Sequence, residues 1–219
     1  MQQWLFDIRS RKFVLLLISF LILTYLAYTK IILPLDSEIE NYVHSIHGST
    51  SLDLMTEVIT EIGWVPHIAI FSIILFIKKS TRRLGLVLLL TVLLGSILSA
   101  YMKCYVGYEK PTLEFVGAHL PIPAAADLGV PCNVDGSFPA GYTVGTTTSA
   151  FVLGFALSRR FPRGCHLVWI YPAAVSVSRI YLLQQFTMDS VGGILLGLLI
   201  ADIVSKKLKL ELIFAKSKI

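Results

Sequence analysis

Three cations lie at points in the chain from which a phosphate-like oxyanion could be gripped. Lys103, Lys110 and Arg179 are far apart in sequence, yet each falls at or just beyond the end of an apolar run, so a bundle of membrane-crossing helices brings them to one level. Two ammonium groups and a guanidinium suit a tetrahedral oxyanion, the lysines as point charges and the arginine as a planar two-pronged donor. Gly141 opens another apolar run and lets the backbone approach closely, so the first amides of that helix add donors. The competing reading is that Lys103 and Lys110 merely extend from helix ends toward water.

Phosphoryl transfer by a covalent route needs a nucleophile and a general acid as well. The stretches GSFPAGY (136–142) and SRIYLLQQFTMD (178–189) fall in the right places but supply neither in the usual form. Tyr142 is a phenol, and a reference pKa near 10 suits it poorly to proton donation at neutral pH. Gln185 carries an amide whose nitrogen lone pair is delocalised, so it cannot attack phosphorus. Gln185 and Asp189 are four residues apart and share a face if the helix already exists there, which lets the aspartate accept from the amide. The alternative is a helix-start aspartate beside an exposed polar residue.

These residues need elements to position them, and composition says which. The 219 residues are 55% hydrophobic and only 15% charged, far too apolar for a soluble domain. The expected fold is an all-α polytopic membrane bundle forming a single domain over 1–219, with six transmembrane helices near residues 13–33, a second ending near 77, 84–102, 142–157, 165–183 and 186–204. The first run is too long for a signal peptide and reads as a retained anchor. The net charge of +5 does not point to nucleic acid, because the basic residues flank apolar runs. With both termini in the cytoplasm, 15 of the 19 basic residues collect on that side, and Asp36, Glu40, Asp53, Glu57 and Glu109 fall on the other with the cation cluster.

Two connecting segments are more than linkers. Residues 34–62 carry Ile39, Val43 and Ile46 at helical spacing, which predicts a short amphipathic helix at the outer interface. The stretch 103–139 is long and rich in Pro, Gly and aromatic residues. An oxidising compartment permits a bridge between Cys104 and Cys132, with Cys165 left at the cytosolic edge. His44 and His47 do not amount to a metal site, no spacing argument carries His119 to the cation cluster, and no metal or cofactor is expected. Gly193 and Gly197 form a small-residue face whose default partner is a helix of the same chain.

The motifs taken together resemble the type 2 phosphatidic acid phosphatase family, the membrane branch of the fold shared with vanadium haloperoxidases and bacterial acid phosphatases. KCYVGYEKP keeps Lys103 and Pro111 of the first motif, with Lys110 in place of arginine. PAGY keeps Pro139 and Gly141 of the second, with Ala140 for serine and Tyr142 for histidine. The third keeps Ser178, Arg179 and Asp189, with Gln185 at the histidine position. Seven of eleven motif positions match in order, which makes the set more specific than any fragment.

The resemblance implies a pocket facing the extracytoplasmic leaflet of a prokaryotic cell membrane, with phosphate held by Lys103, Lys110, Gly141, Ser178 and Arg179. It also implies that the attacking histidine and the acid histidine are missing, since their positions hold Gln185 and Tyr142. Three functions follow. The first is a noncatalytic member acting as a structural or accessory subunit beside a partner membrane protein. The second is a binder of phosphorylated lipid, and the third an active lipid phosphate or polyprenyl diphosphate phosphatase with unconventional groups. Membrane lipids are the expected surroundings in each.

Overall fold

The computed structural model describes residues 10–120, 136–158 and 160–212. Among them the chain is helical throughout: α1 (Arg11–Tyr28), α2 (Leu33–Ser45), α3 (Thr50–Ile62), α4 (Val65–Ile77), α5 (Arg82–Val106), α6 (Gly141–Ser158), a 3-10 segment (Gly164–Trp169), α7 (Ile170–Tyr181) and α8 (Thr187–Lys207). Local chemistry sets several boundaries. The Ser10 hydroxyl accepts from the Phe13 amide at 3.2 Å and starts α1. Gly107, at φ 59°, ends α5 in the left-handed region that glycine enters without strain.

The core is built on α6, which packs against α5 on one side and α8 on the other. α4 lies along α5, α1 along α8, and α7 against α3 and α6. Close approach of α6 and α8 depends on small residues. A Cβ on Gly197 would come within 2.8 Å of Thr147 Cβ, and one on Gly193 within 2.8 Å of the Ala140 carbonyl. The small-residue face thus closes within the chain. On the outside, α1 presents Leu15, Ile18, Leu21 and Ile22, and α4 presents Ile70, Phe71, Ile73 and Ile74, all exposed. Such broad apolar faces fit lipid and not water.

The expectation of six crossings meets a different set of helices. Three, α1, α5 and α8, are long and apolar enough to cross, and a fourth crossing is available if α3 and α4, bent by 46° at their junction, count as one. α6 is absent from that set because its first half is Gly, Thr and Ser. It is buried along nearly its whole length, so helices and not lipid surround it. Its hydroxyls return to the backbone: Thr146 Oγ1 donates to the Tyr142 carbonyl at 2.9 Å and Ser149 Oγ to the Gly145 carbonyl at 2.8 Å. The expected fifth run is divided between the 3-10 segment and the 12-residue α7.

The predicted amphipathic helix corresponds to α2, but its inner face differs from expectation. Asp36, Glu40 and Val43 are buried on it, while Ile46 is exposed. The acids face protein and bind the segment that follows α5. Tyr108 Oη donates to Asp36 at 2.7 Å, and the Thr112 and Leu113 amides donate to Glu40 at 2.7 Å. α3 continues the series, Asp53 accepting from the Ala118 amide at 3.0 Å and Glu57 from the Leu120 amide. Two i, i+4 acid pairs therefore lace residues 108–120 along α2 and α3 in chain order.

Candidate functional site

The C-termini of α5 and α7 and the N-termini of α6 and α8 meet at one end of the bundle. Lys103 lies in the last turn of α5 and Arg179 in the last turn of α7. Tyr142 follows Gly141 at the start of α6, and Asp189 is in the first turn of α8. Their side chains are enclosed, with exposures running from 0% for Asp189 through 1% for Tyr142, 2% for Gln185 and 3% for Lys103 to 4% for Arg179. Lys110 is only half-buried, in the laced segment between Tyr108 and Thr112.

The Arg179 guanidinium carbon lies 4.0 Å from the centroid of the Tyr142 ring. A buried cation over an aromatic face is attracted by the ring quadrupole, here without competing water. Nη1 of the same arginine donates to Gln184 Oε1 at 2.5 Å, and the Gln184 amide donates back to the Arg179 carbonyl at 3.0 Å. Leu183, at φ 53°, turns the chain so that residue 184 can make both contacts. Ser178, the neighbouring motif residue, uses its hydroxyl against Thr60 at 2.9 Å and the Val175 carbonyl at 2.8 Å.

Asp189 anchors the other half of the site. Its carboxylate accepts the Phe186 amide at 2.8 Å and the Ser137 hydroxyl at 3.1 Å. The first closes the N-terminus of α8, where a negative group also complements the helix dipole. The second ties α8 to the segment leading into α6. The single hydroxyl proton of Ser137 is shared with the Glu109 carbonyl at 2.6 Å, and its amide donates to the Tyr108 carbonyl at 2.8 Å. Backbone contacts add to the junction, the Ala140 amide meeting the Asp189 carbonyl at 3.0 Å and the Ser99 hydroxyl the Pro139 carbonyl at 3.0 Å. Gly136 permits this, since a Cβ there would lie 2.4 Å from the Lys103 carbonyl.

A second carboxylate reaches the same helix start from α2. Asp36 accepts from the Met188 amide at 3.3 Å besides the Tyr108 hydroxyl. Burial pushes its carboxyl above the usual range, and the Tyr108 hydroxyl with the Met188 and Thr187 amides pull it partly back. Tyr108 is raised as well, by burial first and then by the hydrogen bond to Asp36. Lys103 adds an electrostatic interaction with Asp189.

The sequence-predicted residues therefore divide. Lys103, Ala140, Gly141, Tyr142, Arg179, Gln185 and Asp189 gather at one end of the bundle. Lys110 lies on the laced segment and Ser178 on the α3-facing side of α7. His119 is held against α3 by a hydrogen bond between its ring Nδ1 and Glu57. Cys104 is disulfide-bonded, the buried Cys165 thiol donates to the Pro162 carbonyl at 3.2 Å, and the expected partner Cys132 lies outside the described residues. Ser137, Asp36, Tyr108 and Gln184 were not anticipated. Ser137 had a visible signal, a hydroxyl just before the PAGY motif, but its aspartate partner is 52 residues away.

Comparison with known proteins agrees with this geometry. Residues 84–210, from the start of α5 to just beyond α8, match the model of the PAP2 superfamily. The chain is also similar to the crystal structure of the first transmembrane PAP2 type phosphatidylglycerolphosphate phosphatase from Bacillus subtilis. The TM-score is 0.68 at 22% identity, over 94% of this chain and 96% of that one, a likeness of fold. No curated protein matches the chain.

Proposed function

The chain belongs to the PAP2 superfamily, and on that premise we propose that it is a noncatalytic member, a structural or accessory protein of a bacterial membrane assembly. The observation that carries the reading is the hydrogen bond by which Gln184 Oε1 occupies Nη1 of the Arg179 fork at 2.5 Å. An arginine that serves phosphoryl transfer must present its fork to the transferring group. Here one face of that arginine lies on a phenol and one nitrogen is held by Gln184. The position from which a histidine would attack holds the amide of Gln185, which has no nucleophilic lone pair. Asp189, which in the family steadies that histidine, is engaged with the α8 start and Ser137.

The same reading takes the bundle as six crossings with both termini in the cytoplasm, α6 and the 3-10/α7 pair crossing inside a protein jacket. The site end then faces the extracytoplasmic leaflet, supported by the basic residues concentrated at the opposite end. A second reading, a binder of phosphorylated lipid, is supported by the burial of Lys103 and Arg179 near one another's helix ends. Purification in native lipid nanodiscs separates the two. An accessory protein should come with a fixed membrane partner in stoichiometric amount and keep it in Arg179→Gln. A stoichiometric anionic phospholipid lost in Arg179→Gln, with no partner protein, would replace the first reading by the second.

A further inference from the structure

The end of the bundle remote from Lys103 and Arg179 carries a cavity of about 640 Å³ between the end of α4, the start of α5 and the end of α8. Arg82 at this cavity and Lys103 at the candidate site both lie on α5, on the order of 30 Å apart along its axis. Lys79, Arg82, Arg83, Lys207 and Lys209 line it, and among the described residues no acidic side chain does. Asp202, the nearest acid on α8, is held by Lys206 at 2.7 Å, and Glu211 does not line the cavity. Among the described residues none of the five cations has a carboxylate partner. Five uncompensated positive charges around one cavity repel one another, and an anion relieves that repulsion.

The two arginines are already positioned. Arg83 Nε donates to the Leu208 carbonyl at 3.2 Å, and Arg82 Nε to the Phe76 carbonyl at 3.4 Å with its guanidinium over the Phe76 ring at 5.3 Å. Each uses Nε on the scaffold, which leaves both Nη groups as donors for oxygen atoms of a ligand. The lining is also partly apolar: Leu86 and the fully buried Val87 form its wall on α5. That wall runs into helices whose flanks face lipid. A free inorganic anion uses only the cations, whereas a phospholipid uses both parts.

We infer that this cavity is a binding site for the phosphate headgroup of an anionic phospholipid of the surrounding membrane, with the glycerol and upper acyl chain against Phe76 and Leu86. The site is separate from the superfamily pocket and does not depend on whether that pocket is catalytic. Basic cavities at the ends of membrane helices hold acidic lipid by this combination of charge and apolar contact.

The full chain carrying Leu212→Trp, a substitution at the cavity rim, is reconstituted into phosphatidylcholine vesicles containing equal mole fractions of either brominated phosphatidylglycerol or brominated phosphatidylcholine. Emission of the added indole is taken by difference from the parent protein. The brominated phosphatidylglycerol should bind at least about fivefold more tightly at this indole than the brominated phosphatidylcholine. Added salt should reduce the preference, and Lys207→Gln with Lys209→Gln should bring it close to unity. These two lysines make no side-chain hydrogen bond among the described residues, so the variant tests charge without removing a contact of the fold. Equal quenching by the two lipids, or a preference unchanged in the double variant, would overturn the inference. Absence of any phosphatidylglycerol preference, together with binding of inorganic phosphate that is lost in Lys207→Gln with Lys209→Gln, would assign the cavity to a free anion and overturn the lipid.

Discussion

Tyr142 holds Arg179 through its ring, so the hydroxyl and the aromatic face separate by mutation. Tyr142→Phe keeps the stack and should leave stability in micelles within about 1 kcal/mol of wild type. Tyr142→Ala removes the ring from a buried position and should cost about 3–5 kcal/mol. Equal losses by chemical denaturation would mean that the 4.0 Å contact contributes nothing. Ser137→Ala strips one donor from a buried carboxylate and should cost about 1–3 kcal/mol, more than an alanine at exposed Ser80. The cations of the site were legible in the sequence because they are three of only four basic residues that the topology leaves on the outer side. Ser137 was not, because nothing near position 137 shows that a folded α8 places Asp189 against it.

At the level of elements, the site end is held by carboxylates that accept backbone and phenol donors. Glu40→Ala should release the Thr112 and Leu113 amides, seen as faster hydrogen exchange in 108–120 with the α5 to α8 core unchanged. Uniform loss of protection would show instead that the lacing is part of the global fold. Asp36 gives a signed pH dependence. Its carboxyl is raised in the folded state, so its contribution is full below the ordinary aspartate value of about 3.9 and is lost as pH rises through the elevated value. Comparing melting temperatures of wild type and Asp36→Asn, the difference should move in favour of the variant as pH rises above about 4. Movement the other way would contradict the burial assigned to Asp36. Apolar periodicity revealed α1, α5 and α8, which touch lipid. It gave 142–157 as another span, but not which neighbours enclose its threonines.

For the whole molecule, membrane class and basic sidedness were readable from composition, and fold followed from the order of the motifs. The laced segment was not, because acids on a predicted interfacial helix look solvated until their partners are known. Single cysteines at Ser49 and Ser80, both exposed, test the orientation. Membrane-impermeant reagent should label Ser49→Cys from outside the cell and Ser80→Cys only after the cytoplasmic face is opened, and labelling of both from one side would remove the topology. The central claim is that superfamily architecture here persists without phosphoryl transfer. Its most direct test is phosphate release by the purified, lipid-reconstituted wild type from phosphatidylglycerolphosphate, phosphatidate and polyprenyl diphosphate, with Arg179→Ala in parallel. The account predicts release at background in both proteins. Turnover by wild type that disappears in Arg179→Ala would contradict it.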